Sequence, residues 1–247
     1  MDRLIYTAMT GAKQIMEQQA TVSQNLANTN TVGFKGQIDM FRAVPVSGPG
    51  LLTRVQVVDE TVGADLSVGH ILQTGRALDL AIEGSGWFAV QTADGKEAYT
   101  RAGDLKVGAN GLLQTHSGLT VLSEESAPIV ISSDSSVTVG KDGSLSYLVA
   151  GDNPVTSNFL GRIKLVNPSP KELVRGDDGL FHSLKGGSFG SDSTITVQSG
   201  ALEESNFNVV ESMVAMISLG RQYDLQMDML KNAKDNANKS SQIMSLT

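Results

Sequence analysis

RLIYTAMTGAKQIMEQQATVSQNLA, residues 3–27, is the stretch on which the fold turns. Its apolar and small residues recur at alternating steps of three and four: Ile5, Ala8, Ala12, Ile15, Gln19, Val22 and Leu26, of which only Gln19 is polar. That spacing keeps one narrow edge of an α-helix apolar and predicts a heptad seam. Asp2 can supply an N-cap oxygen. Apart from Gly11, no Gly or Pro interrupts the segment before Gly33.

The other end of the chain repeats the theme. Asn208 followed by Glu211 is a start like a capping box. A second row then runs through Met213, Met216, Gly220, Tyr223, Met227, Leu230, Lys234, Ala237, Ser241 and Met244, apolar or small through Leu230 and more polar beyond it. At 1.5 Å per residue a helix over 209–246 spans about 55 Å and the N-terminal one about 37 Å. Helices with thin apolar edges depend on a partner surface, and two readings follow: an intramolecular helical hairpin that covers a sheet, or helices that order and complete their burial only against neighbouring copies.

Between the ends the period changes. Candidate strands are Leu78–Ile82, Trp87–Gln91, Ala98–Arg101, Leu145–Leu148, Gly161–Val166 and Thr194–Ser199. Turn signals separate them at Asp94-Gly95, Asn110-Gly111, Asp142-Gly143 and Asp178-Gly179. The expected fold class is α+β: long N- and C-terminal helices paired as a coiled coil, with an inserted, mainly antiparallel β domain. Residues 1–30 form the first helix, 31–70 an extended connector with some strand, 71–200 the β domain and 201–247 the second helix.

The balance of the 247 residues narrows the function. A net charge of −7 without any basic run argues against nucleic acid and against anionic membrane surfaces. The absence of cysteine excludes disulfides, thiolate metal sites and cysteine nucleophiles. Polar residues interrupt the N-terminus, so no Sec signal peptide is expected, and no run is long enough to span a bilayer. His70, His116 and His182 are far apart in sequence and carry no metal-ligand spacing. Gly84-Ser85-Gly86 lacks the third glycine of a dinucleotide fingerprint and precedes a strand, so it reads as a turn. Asp177-Asp178-Gly179 lacks the remaining oxygens of a calcium loop. The carboxylate pairs Glu124-Glu125 and Glu203-Glu204 lie beside turns or a helix start, with nothing expected to enclose them. No enzyme, cofactor or metal follows from these residues.

Three blocks carry a resemblance. Ser23-Gln24-Asn25-Leu26-Ala27-Asn28-Thr29-Asn30-Thr31-Val32-Gly33-Phe34-Lys35 resembles a signature of flagellar rod and hook proteins. Physically, Asn28 and Asn30 suit a helix end, Gly33 a backbone angle closed to larger residues, and Phe34 an apolar anchor beyond the turn. Residues 72–88, LQTGRALDLAIEGSGWF, resemble the central segment of the same family, with Tyr99-Thr100-Arg101-Ala102-Gly103 following. Gly200-Ala201-Leu202-Glu203-Glu204-Ser205-Asn206 and the helix through Met213, Met216, Arg221, Tyr223 and Met227 resemble its C-terminal block. The sequence is thus similar to the flagellar basal-body rod and hook family along its length, most closely to the proximal rod members, with distal rod members as rivals. Asn208, Gly220 and Leu225 depart from the usual pattern.

The resemblance implies a structural rod subunit whose paired helices line a tube and whose β domain forms an outer layer. It implies as partners other rod subunits, proximal and distal, copies of itself, and the flagellar type III export apparatus, in a rod that crosses the periplasm. The assembly residues it implies are the seam and motif positions Ile5, Ala8, Ala12, Ile15, Val22, Leu26, Asn28, Gly33, Phe34, Met213, Met216, Gly220, Tyr223, Met227 and Leu230. A reading from another class is an extracellular β-domain binding module, which needs an exposed aromatic platform among Trp87, Phe88, Tyr99, Tyr147, Phe159, Phe181 and Phe189.

Overall fold

Two long helices and a set of antiparallel sheets make the chain α+β in a computed structural model that describes residues 2–45, 55–132, 135–149 and 158–244. The chain divides into two compact units, Met1–Asn28 with Gln37–Ala64 and Phe207–Thr247, and Thr29–Gly36 with Asp65–Asn206.

In the first unit, helix α1 spans Asp2–Ala27 and helix α2 spans Val209–Met244. The side chain of Asp2, the expected cap, lies outside the described side chains. The C-terminal end of α1 is closed by Asn28, whose side-chain amide donates to Gln24 O at 2.9 Å. The N-terminus of α2 is capped by Asn208 Oδ1, which accepts from Val210 N at 2.9 Å. No helix among the described residues is long and apolar enough to cross a membrane.

The helices lie alongside each other. Ala8, Ala12 and Ile15 are buried on α1, and Ile5, Gln19, Val22 and Leu26 on the same edge are half-buried. On α2 the less exposed edge runs Ser212, Met216, Leu219, Tyr223, Gln226, Leu230, Ala233, Ala237 and Ser240, with Ser212 and Ala233 buried. Half of the expected α2 row is therefore displaced by one residue. Met216, Tyr223, Leu230 and Ala237 keep their places and Gly220 is half-buried, but Met213, Met227, Lys234 and Ser241 stand outside. The side chain of Met244 is not among those described. Both rows obey the same three-four spacing, and hydrophobicity favours Met213 and Met227 over Ser212 and Gln226. Close helix approach favours the small side chains of Ser212 and Ala233, whereas Leu219 and Gln226 on the same edge are no smaller than the residues they replace. Gly11 shows how close the helices come: a Cβ added there would sit 3.4 Å from the Gln226 side chain.

Residues 37–64, expected as an extended connector with some strand, hold a long antiparallel ribbon. Strand β1 (Gln37–Pro45) pairs with β2 (Val55–Ala64) from Gln37↔Ala64 to Pro45↔Val55, with an irregularity between Met40 and Phe41. Thr21 Oγ1 on α1 donates to Asp39 Oδ1 at 2.9 Å, and Asn25 Nδ2 donates to Gln37 O at 2.8 Å, fastening the ribbon's root to the helix.

The second unit is a stack of short antiparallel strands. Strand β3 (Ile71–Gln73) pairs with Ala201–Glu203, and β4 (Leu80–Glu83) pairs with Thr196–Ser199. Strands β5 (Trp87–Gln91) and β6 (Glu97–Thr100) form the middle of the largest sheet. Gly84-Ser85-Gly86 is the turn between β4 and β5. Trp87 and Phe88 are both buried, where the alternation suggests that one would be, because β5 is covered on both faces. A separate three-stranded sheet contains 135–139, 144–149 and 158–162. The core gathers Leu80, Ile82, Phe88, Val90, Leu105 and Leu113 with neighbours from across the unit.

The two helices run antiparallel, since the segments beside their near ends meet: Phe34 O accepts from Asn206 N at 3.4 Å. The small-residue contact between them generates a prediction. Ala12→Leu adds a bulky group where α1 is buried, and is expected to cost about 1–3 kcal/mol in the helical unfolding transition. Circular dichroism at the helix band measures this, with the fluorescence of Trp87, the chain's single tryptophan, reporting the β unit separately. An unchanged helical transition would show that Ala12 does not set the spacing.

Candidate functional site

The residues of the three signature blocks converge on one buried charge. Glu203 ends its strand with its side chain fully buried. Its Oε1 accepts from Lys35 Nζ at 2.6 Å and from Gly69 N at 2.9 Å, and its Oε2 accepts from Arg101 Nη1 at 3.0 Å. Lys35 Nζ also donates to Ser67 O at 2.6 Å, and Arg101 Nη2 to Gly84 O at 2.6 Å. The Arg101 guanidinium lies 5.5 Å from the centre of the Trp87 ring. Two cations against one carboxylate leave an excess positive charge in a dry place. Burial pushes both Lys35 and Arg101 below their ordinary pKa values, with Glu203 acting in the opposite direction. The expectation that nothing encloses Glu203-Glu204 is corrected here: Glu203 is enclosed on every side, while Glu204 is exposed.

Gly33 and Phe34 serve the same junction. Gly33 has φ +66, and a Cβ there would stand 2.3 Å from the Arg101 backbone carbon, so only glycine fits. Its N–H donates to Glu203 O at 2.7 Å. Phe34 is buried, with Arg175 4.7 Å over its ring, and Arg175 Nη1 donates to Lys35 O at 2.6 Å. The sequence implies the backbone angle at Gly33 and the apolar anchor at Phe34, but not their junction with Arg101, Arg175 and Glu203. Their meeting was hidden by separation, since Lys35 and Glu203 lie 168 residues apart.

The first unit offers a different kind of site. Two residues along an α-helix is about 200° around it, so the residues opposite the α1-facing edge of α2 are Val210, Val214 and Ile217. All three are large, apolar and 59–69% exposed. Met213, Leu225, Met227 and Met229 extend this surface, and Tyr6, Met9 and Met16 form an outer row on α1. Ile38 and Met40 on the ribbon are exposed as well. Monomers seldom leave this much large apolar surface to water. A groove of about 240 Å³ opens between α1, β2 and α2, lined by Thr7, Ala8, Gly11, Val55, Val57 and Met229 among others.

The aromatic platform required of a binding module is not formed by the seven candidates. Trp87, Phe88, Tyr99 and Phe181 are buried, Tyr147 and Phe189 are half-buried, and only Phe159 projects strongly. Phe181 instead packs 4.5 Å from Trp87, and Phe189 packs 5.2 Å from Tyr99.

The buried junction makes a prediction that a packing role alone would not. Glu203→Gln removes the one anion and leaves two cations buried, which is expected to cost about 3–5 kcal/mol. Combining it with Lys35→Met and Arg101→Leu is expected to recover much of that loss. Denaturant unfolding followed by Trp87 fluorescence measures both, and a triple variant no more stable than the single one would refute the electrostatic account.

Comparison with known proteins gives the same blocks an identity. Residues 5–35 match the flagella basal body rod protein family, residues 81–147 the flagellar hook protein FlgE/F/G D1 domain, and residues 198–243 the flagellar basal body rod FlgEFG protein C-terminal family. The chain is 42% identical to the flagellar basal-body rod protein FlgF of Escherichia coli K12 and 41% identical to FlgF of Salmonella typhimurium, in each case over the whole of both chains. It is 30% identical to FlgG, a flagellar basal-body rod protein of Bacillus subtilis, over 88% of this chain and 89% of that one. With the signature residues meeting at a single buried junction and the likeness unbroken from end to end, the chain belongs to the flagellar basal-body rod protein family.

Proposed function

We propose that the chain is a structural subunit of the proximal rod of the flagellar basal body, and that it joins the rod by burying the outer faces of α1 and α2 against the helices of neighbouring subunits. The observation that carries this reading is the second apolar face of α2, at Val210, Val214 and Ile217. Burial of apolar area is worth about 25 cal/mol per Å², so a row of such residues left in water is a standing drive to associate. The groove beside Gly11 and the projecting Met and Val residues differ in shape. Contacts between unlike patches are heterologous: they give a ring where the rotation closes and an open helix where it does not, and a rod is the open case.

In this reading the helices build the inner tube and the β unit an outer layer, and the assembled shaft carries torque from motor to hook. Neighbours are copies of this chain and other proximal and distal rod subunits. Export in an unfolded state by the flagellar type III apparatus and residence across the periplasm follow from the same assignment. The role is mechanical, with no catalytic step and no cofactor.

Ile217→Asp tests the reading, because it places a charge on the outward face without touching the α1-facing edge. Isolated basal bodies from cells carrying it are expected to lack the subunit, and swimming to be lost, while the secreted protein keeps a native Trp87 signal. Normal incorporation and swimming would show that this face is not the contact surface.

A further inference from the structure

At its root the ribbon of β1 and β2 meets α1 with a polar face. Gln37 and Asp39 are half-buried, while Ile38 and Met40, which alternation places on the other face, are 44% and 57% exposed. Beyond the irregularity between Met40 and Phe41 the ordinary rule returns, with Phe41 half-buried and Arg42 exposed. Apolar burial by itself favours turning the root over, so that Ile38 and Met40 are covered and Gln37 and Asp39 face water. What opposes this is directional. Asn25 is 1% exposed near the end of α1, and its side-chain amide closes a ring with one residue of β1. Its Oδ1 accepts from Gln37 N at 2.8 Å and its Nδ2 donates to Gln37 O at 2.8 Å. One turn earlier on the same side of α1, Thr21 Oγ1 donates to Asp39 Oδ1 at 2.9 Å.

In a strand, each residue points its N–H and C=O to one edge, and the next residue points both to the other. Gln37 gives both groups to Asn25, so the amide stands at the edge of β1 in the place of a partner strand. Turning the ribbon about its length exchanges its edges along with its faces. Slipping it by one residue brings up Ile38, whose N–H and C=O point to the opposite edge. Either change leaves the buried amide without these two bonds. We propose that Asn25 is a positioning residue, assisted by Thr21, that selects which face of the ribbon meets α1 and so keeps Ile38 and Met40 outward. A buried polar side chain used in this way contributes specificity more than stability, because it penalises the alternatives. All of these groups lie in the first unit. The facing of the ribbon is a property of the free subunit, so the inference goes beyond the assembly reading and does not depend on what covers the ribbon.

The chain contains no cysteine, so single cysteines report the facing on the full-length protein. Ile38→Cys reports the outward face. Gln37→Cys reports the helix-facing one and leaves in place the backbone groups that Asn25 binds. In the native background a charged maleimide is expected to label the first several-fold faster than the second. With Asn25→Ala that ratio is expected to fall to parity or below, since the loss of one or two net hydrogen bonds is equivalent to about a tenfold change in the facing equilibrium. Asn25→Asp, which keeps the acceptor for Gln37 N, and Thr21→Val, which keeps the shape and lacks the hydroxyl, are expected to fall between. Thr21→Ser, which keeps the donor, is expected to retain the native ratio. The helix band in circular dichroism and the Trp87 fluorescence are expected to stay unchanged throughout. An unchanged labelling ratio in Asn25→Ala would overturn the proposal. Loss of the helix band in that variant would overturn it too, because Asn25 would then support α1 and not select the ribbon's face. None of these readouts uses assembled particles, on which Ile217→Asp tests the outer face of α2.

Discussion

The structure hangs on a single buried carboxylate. Glu203 holds Lys35 and Arg101, and through them segments from near the start, the middle and near the end of the chain. Isolated buried ions are costly, and an ion pair between water-poor walls offsets that cost only when the remaining hydrogen-bonding capacity is filled. Here most of it is filled by backbone: Gly69 N on the carboxylate, Ser67 O on the ammonium and Gly84 O on the guanidinium. Each of those groups lies in a loop. The charge cluster therefore does for the loops of the second unit what apolar contact does for its strands.

A second ion pair shows the same economy. Lys164 reaches Glu97 at 2.9 Å and the Ser126 hydroxyl at 2.9 Å, and Tyr99 donates to Glu97 at 2.9 Å. Ser126 is the one non-glycine residue with positive φ among the described residues, and the lysine bond helps hold that turn. Short strands bury too little apolar area each to fix their connections, so polar ties at the turns take on that work.

The two units follow opposite rules. The β unit has a filled core and side chains covered on both faces of its central strand. The helical unit mixes small and large residues where its helices touch and leaves several large apolar residues, Val210, Val214 and Ile217 among them, facing water. That exposure makes sense for a polymer.

Periodicity alone determined that residues 3–27 and the segment after Asn208 are helices, and Asp-Gly and Asn-Gly pairs placed turns between strands, because such signals are local. The α1 edge was readable for the same reason: Ala8, Ala12 and Ile15 are the apolar choice and also the buried one. On α2 two rows with the same spacing compete, and hydrophobicity points to Met213 and Met227 while the helix contact takes Ser212 and Gln226. That choice depends on how near the other helix lies, which only tertiary structure decides. Lys35, Arg101, Glu203 and Asn206 stood in the sequence as signature positions without a stated purpose. A hydrogen bond across 168 residues leaves no periodic trace, so their junction exists only once the chain has folded.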